Sequence, residues 1–160
     1  IKMTDLDKKL DLWFHGVNNT KWDITSYKKI MSVDNLVDLT NILKSVEYKI
    51  FPNAMFFLMI EGVDPIWEHP KNKDGGTWSF KIEDSRIQEI WYKINILFIT
   101  NNIFTEDMPI FGISVAPKKG YYILKIWTGV KADKSNFSLK LEELGKEFNK
   151  GASQYKSHRH

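Results

Sequence analysis

The spacing of apolar positions along this chain changes several times, and each change marks an element. Leu10 to His15 (LDLWFH) alternates, with Leu10, Leu12 and Phe14 on one face and Trp13 on the other, as in a half-buried strand. The mixed, charged residues ahead of it read as a frayed lead-in. From Ser32, a good helix N-cap, Val33, Leu36, Val37, Leu43 and Val46 recur at helical spacing. Ser85 is placed to cap a second helix with the stripe Ile87, Ile90, Trp91, Ile94 and Phe98. A third helix is expected from Phe137 or Ser138, with Phe137, Leu141, Leu144 and Phe148 on one face. All three stripes are read as core-facing.

Strands fill the intervals. Ala54 to Ile60 (AMFFLMI) is a short apolar run, and Trp78 to Ile82 (WSFKI) alternates. Ile110 to Val115 and Tyr121 to Thr128 are strands joined through Pro117-Lys118-Lys119-Gly120, a hairpin signal. The order strand, helix, strands, helix, hairpin, helix predicts an α+β fold, an antiparallel sheet with helices packed on one face. No repeat or linker divides residues 1–160, so a single domain is expected.

Composition narrows the class. A chain of 160 residues with 42% hydrophobic content is long and apolar enough for a real core, which argues against wholesale disorder. The absence of cysteine excludes a disulfide framework and a Cys-ligated metal, and fits a reducing compartment. No run approaches the roughly 18 apolar residues of a membrane span, and no signal peptide opens the chain. The first residue is Ile1 rather than Met, which reads as a fragment without its native start. A net charge of +3 suits a nucleotide or nucleic-acid partner, and equally a mildly basic soluble protein. Six Trp, six Tyr and ten Phe exceed what packing alone demands.

The candidate chemistry lies in the stretch Glu61 to Trp78, EGVDPIWEHPKNKDGGTW, a long aperiodic loop between two strands. Within it Trp67 is followed at once by Glu68. An indole offers a flat face, and a carboxylate offers two acceptor oxygens that match the N1 and N2 donors of guanine. Methylation at N7 makes that base cationic and adds a cation–π attraction. A plainer alternative has Trp67 folding back to pin the loop. Catalysis is not indicated: no nucleophile or phosphate-cradling motif is present, and Glu61, Asp64 and Glu68 are too scattered for a metal-assisted hydrolase. His158 and His160, on the tail Gly151 to His160, read as solvated rather than as metal ligands, and no cofactor is expected.

The runs GVDPIWE and KNKDGGTW resemble the corresponding loop of the eukaryotic translation initiation factor 4E family, the mRNA cap-binding proteins. The resemblance rests on the spacing of Trp67, Glu68, Gly75, Gly76 and Trp78. It extends to LWFH…TKW at Leu12 to Trp22, IWYKINILF at Ile90 to Phe98, KIWT at Lys125 to Thr128 and QYKSH in the tail, nearly the whole chain. It implies a single curved antiparallel β-sheet with three helices packed on its convex face and a cap-binding concave side. By the same resemblance Trp22 and Trp67 sandwich the base, Glu68 reads its guanine edge, and Trp127 covers the N7 methyl. Without the family, Trp127 reads as a core tryptophan. Trp22 follows a polar connection, Gly16 to Lys21, about a residue shorter than the family's.

The phosphate side departs from the family pattern. Lys118 stands where the family has an arginine, Thr77 replaces a second arginine, and Met55 replaces an acidic residue that orients the first. The family's phosphate-contacting lysine aligns with Ile123, while Lys125 lies two residues on and on the same strand face. Lys118, Lys119 and Lys125 are therefore the expected phosphate ligands. The partner side departs too. Val37 occupies the place of the tryptophan through which the family holds its scaffold protein and repressors, and Tyr92 that of a neighbouring leucine. Trp91 is retained but has a core reading, and the family's His-Pro-Leu-like segment is not recognisable around Thr4 to Leu6. Val33, Val37 and Tyr92 are the residues expected to face an initiation scaffold or repressor. The function implied is non-enzymatic binding of the 7-methylguanosine 5′ cap of mRNA in translation initiation. The resemblance further implies a monomer in the cytoplasm and also the nucleus. One alternative is a homologue that sequesters capped RNA and represses translation; another is a protein-interaction module that has lost the cap.

Overall fold

The strands are β1 (Asp5–Gly16), β2 (Lys28–Asn35), β3 (Ala54–Ile60), β4 (Gly76–Glu83), β5 (Ile110–Pro117), β6 (Tyr121–Thr128) and β7 (Gln154–Ser157). In the computed structural model, which describes residues 5–130, 136–149 and 151–159, they form one sheet in the order β2-β1-β3-β5-β6-β4-β7. Every neighbouring pair is antiparallel. Strand twist, with register shifts in the β1–β2 and β5–β6 pairs, curves the sheet. The α+β expectation holds.

Side-chain alternation divides the sheet into two apolar faces. Leu10 and Leu12 of β1, Phe56 and Leu58 of β3, Trp78, Phe80 and Ile82 of β4, and Leu124 and Ile126 of β6 enter the main core. The helices α1 (Leu36–Ser45), α2 (Ile87–Ile99) and α3 (Leu139–Glu142) cover this face. The predicted stripe Ile87, Ile90, Trp91, Ile94 and Phe98 of α2 is wholly buried, each side chain contributing about 1.5–3 kcal/mol. The opposite, concave face carries a smaller cluster of Trp13, Phe57, Met59, Val63 and Trp127. Because β3 is buried on both sides, it reads as a continuous apolar run.

Four local expectations are corrected. From Asp5 on the lead-in is not frayed, because β1 begins there and Asp5 pairs with Asn35 of β2; residues 1–4 lie outside the described residues. Ser32 does not cap a helix, because Lys28–Asn35 is a strand, and the Ser32 hydroxyl donates to Asp11 Oδ1 over 2.6 Å. The cap is Asn35, whose side chain accepts from the Asp38 amide at 2.9 Å. Leu39 and Leu43 are the buried residues of α1, whereas Leu36 and Val37 are exposed and Val33 is buried on β2. Pairing with the edge of β1 outweighed a helical spacing that was coincidental at Val33. Ser85 falls in a 3-10 turn, Asp84–Arg86, that leads into α2 without a side-chain cap.

The third helix is a single turn. Ser138 caps it, accepting from the Leu141 amide at 3.2 Å. Gly145, at φ 157°, then diverts the chain into a second short turn, Lys146–Phe148. A Cβ there would strike both Arg86 and Glu147, which form a salt bridge across the turn. Phe137, Leu141 and Phe148 still reach the core, and Leu144 packs at its margin.

Candidate functional site

Two loops rise over the concave face, and each brings a half-exposed tryptophan. Trp22 (52% exposed) and Trp67 (49% exposed) line the same cavity of about 300 Å³. Glu68, Lys125 and Trp127 line it as well, together with Tyr27, Met55 and Ser114. Large aromatic side chains left half in water around a concavity are what a flat ligand requires.

The first loop is held from beneath by β1. His15 is fully buried, and its ring lies parallel to that of Trp22, with centroids 4.2 Å apart and planes 2° from coincidence. The imidazole is itself fixed, with Nδ1 2.9 Å from the carbonyl oxygen of Gly16 and Nε2 2.7 Å from that of Lys21. Trp22 therefore stands on a rigid aromatic base at the loop tip. Asp23 caps the turn that follows, accepting from the Thr25 amide at 2.9 Å. The chain then returns through Tyr27, which packs edge-on against Phe57 at 5.5 Å. The Tyr27 phenol is pushed up to about 12, first by burial and second by the Glu68 carboxylate. Side chains from the two loops thus meet electrostatically across the cavity.

The second loop is organised by Asn72, which is fully buried. Its Nδ2 donates to the carbonyls of Asp64 (3.0 Å) and Ile66 (2.8 Å), closing the loop just before Trp67. The Val63 side chain anchors the loop's start in the concave cluster. Its end is tied to the chain beyond β7. The His158 amide donates to the Gly75 carbonyl at 3.0 Å, His158 Nδ1 donates to the Asn72 carbonyl at 2.6 Å, and Arg159 pairs with Asp74. His158, expected to be solvated, is instead buried and packs on Trp127 at 5.4 Å. β7 adds to the edge of β4 and carries His158 under the loop. His160 lies outside the described residues.

Trp127 forms part of the floor. It is 7% exposed, and its Nε1 donates to Ser114 Oγ at 2.9 Å, which fixes the plane of the ring. Lys125, two residues earlier on the same face, also lines the cavity. Burial, then the nearby charges of Lys118 and Lys156, hold its ammonium below the ordinary lysine value. Lys118 is in the hairpin turn, its amide donating to Tyr121 at 2.8 Å. Lys119, beside it in the turn, lines neither this cavity nor a smaller one of about 130 Å³ next to it. That smaller cavity is lined by Trp67, Thr77, Lys125 and Trp127, and by Lys156 and His158 of the terminal segment.

Of the residues singled out from sequence, Trp22, Trp67, Glu68, Trp127 and Lys125 come together, Lys118 lies close by, and Lys119 stays at the turn. Those not foreseen are Tyr27, Ser114, Lys156 and His158. Strand alternation alone would have put Ser114 and Lys156 on the concave face, once the strands and their order were known. A depression of similar size near Asn101–Ile110 includes Glu106 and Asp107 and no tryptophan.

The convex side carries an apolar depression of about 340 Å³ where α1 and α2 meet, lined by Leu36, Tyr92, Ile96, Leu97 and others. Val37 is 53% exposed on α1. Val33, expected to face a partner, is buried on β2 and offers it no surface, and Trp91 is core. Leu6 packs against the main core, while Thr4 lies outside the described residues.

The family model described as Eukaryotic initiation factor 4E matches residues 5–160. A fission yeast (Schizosaccharomyces pombe) relative, eukaryotic translation initiation factor 4E-2, is 25% identical over 92% of this chain, which spans 61% of that relative's length. Among solved structures, Ascaris suum eIF4E-3 in complex with an m7G cap superposes with a TM-score of 0.76, covering 97% of this chain and 91% of that one at 18% identity. The C. elegans eIF4E-3, solved with the 4E-binding protein Mextli and a cap analog, gives a TM-score of 0.74 at 15% identity, covering 97% of this chain and 92% of that one. These two likenesses establish the fold. With the family pattern matched from the first described strand to the end of the chain, this protein belongs to the eukaryotic initiation factor 4E family.

Proposed function

We propose that the chain binds the 7-methylguanosine 5′ cap of mRNA and acts in translation initiation as a binding protein, not an enzyme. One observation carries the reading: Trp22 and Trp67, each half exposed, line one cavity that also contains Glu68 and Trp127. A methylated guanine between two indoles gains roughly 1–3 kcal/mol per stacked face, and its positive charge adds a cation–π attraction. Glu68 accepts from guanine N1–H and N2–H, a charge-assisted pair that adenine does not offer. Trp127, its ring plane held by Ser114, receives the N7 methyl group. The cap-bound solved relatives support the same reading.

The exposed Val37 and the depression beside Tyr92 favour a second reading of the consequence, not of the ligand. A partner helix laid into this groove would lack an indole anchor at Val37, which weakens a helix-in-groove contact. The Mextli complex of the nematode relative supports a protein partner in general. If recruitment is weak, the protein holds capped RNA without delivering it to the initiation machinery.

The test is a titration with 7-methyl-GTP and with GTP, followed by tryptophan fluorescence. Strong quenching by the methylated nucleotide and little by GTP is expected. Absence of quenching by either leaves an interaction module without the ligand.

A further inference from the structure

The lysine of the terminal strand has no counterpart in the expected phosphate set, yet its position is well defined. Trp127 pairs with Thr77, and Thr77 with Lys156, so the three side chains stand in one row on the concave face. In the next row Lys125 pairs with Ser79, and Ser79 with Gln154. With strands about 4.8 Å apart, Lys156 lies roughly 10 Å from Trp127 at the backbone, Thr77 between them. Thr77 is small and buried, and the space above it is the cavity of about 130 Å³ walled by Lys125, Lys156, Ser157 and His158. That is many times the roughly 10–15 Å³ one water needs, and admits a phosphoryl group.

The electrostatics single out this cavity. Lys118, Lys125 and Lys156 have no ion-pair partner among the described residues. Lys125 and Lys156 both hold the His158 imidazole down, after burial, and Lys118 and Lys156 do the same to Lys125. Unpaired like charges brought together at a cavity repel one another until an anion enters. Glu68, which lines the larger cavity next to this one, also acts on His158.

We propose that the phosphate chain of the bound nucleotide runs toward β7 and is held between Lys125 and Lys156 above Thr77, with Lys156 a specificity-determining phosphate ligand. The proposal rests on the cap-binding reading and adds the path of the phosphates. Thr77 then has a role: an arginine at this position would fill the cavity, whereas threonine leaves room and a hydroxyl.

The experiment compares 7-methylguanosine, 7-methyl-GMP, 7-methyl-GDP and 7-methyl-GTP on the wild-type chain and on Lys156→Ala, Lys156→Arg and Lys140→Ala. Lys156 is exposed on an edge strand, so its substitution leaves the core intact. Expected is a loss of roughly tenfold for the di- and triphosphate with Lys156→Ala, no change for the nucleoside, and recovery with Lys156→Arg. The slope of log affinity against log salt should fall by about 0.7–0.9 for that variant. Lys140→Ala, on the opposite face of the sheet, should bind all four like wild type. If Lys156→Ala binds the di- and triphosphate as tightly as wild type, the phosphate path is wrong while cap binding stands. If wild type binds none of the four, the cap reading and the proposal fall together.

Discussion

His158 Nδ1 lies 2.6 Å from the backbone oxygen of Asn72, joining the segment after β7 to the loop that presents Trp67 and Glu68. A carbonyl only accepts, so this ring nitrogen carries the hydrogen. Asn72 in turn closes the loop onto Asp64 and Ile66. Residues 158 and 159 therefore hold the loop of Trp67 and Glu68 in place. Replacing His158 with alanine removes about 1 kcal/mol of hydrogen bonding plus its packing on Trp127. We expect Tm to fall by roughly 2–4 °C per kcal/mol lost. Affinity for 7-methyl-GTP should fall too, because Trp67 and Glu68 are no longer held in position. Unchanged affinity in a folded variant would show that the loop is rigid without this bond.

The same imidazole makes stability depend on pH. Burial first, and then Lys125 and Lys156, hold its pKa below the ordinary 6.5, against opposing effects from the Asn72 carbonyl and Glu68. The unfolded chain thus takes up a proton at a higher pH than the folded one. The contribution of neutral His158 is full above about 6.5 and is lost as pH falls from there through the folded value. Urea unfolding at pH 7.5 and pH 5.5 should show a larger loss for wild type than for His158→Gln. Equal losses would remove His158 as the cause.

If the cap reading holds, loss of either cavity-lining indole, Trp22→Ala or Trp67→Ala, should weaken 7-methyl-GTP binding by roughly 1–3 kcal/mol, measured by calorimetry. Glu68→Ala should cost about as much as a hydrogen bond to a charged group, about 1.5–3 kcal/mol, and narrow the preference over adenine nucleotides. A Glu68→Ala variant that binds like wild type would mean the cavity does not read guanine.

Gly75 sits where the loop meets β6 and β7. A Cβ there would overlap the Thr128 carbonyl, which belongs to rigid backbone and does not yield. Gly75→Ala should therefore destabilise the chain by about 1–3 kcal/mol, the range for forced overpacking, and displace the loop's exit. Thermal unfolding reads the first effect, and tryptophan quenching by 7-methyl-GTP the second.

Arg86 Nη1 donates to both carboxylate oxygens of Glu147, at 2.6 and 2.7 Å, and Nη2 to the Leu144 carbonyl at 2.6 Å. Glu147 is buried, so Arg86→Met leaves an unpaired charge inside and should cost about 3 kcal/mol. The double variant Arg86→Met with Glu147→Leu should recover most of that loss in chemical denaturation. Additive losses would mean the two residues act separately.

Much of this protein was readable one segment at a time. The alternation in β1, the apolar run of β3, the β5–β6 hairpin and the buried stripe of α2 are local periodicities, which a single stretch of sequence carries by itself. The Trp67–Glu68 pair was legible for a related reason, since proline and glycine punctuation marks an aperiodic loop wherever it folds. Lys28–Asn35 was not legible. Its residues suit either element, and the open edge of β1 made it a strand. Nor were Lys156 and His158, whose short segment has little periodicity to read. Their place beside the cavity follows from β7 pairing with β4, and β4 with β6, although these strands are far apart in the chain. The sequence alone determined that the segments of β1, β3, β4, β5 and β6 are strands, and which loop carries an indole beside a carboxylate. Only the tertiary structure decided which cations and which histidine stand beside that loop, because strand order depends on pairing between distant segments, and no local pattern encodes it.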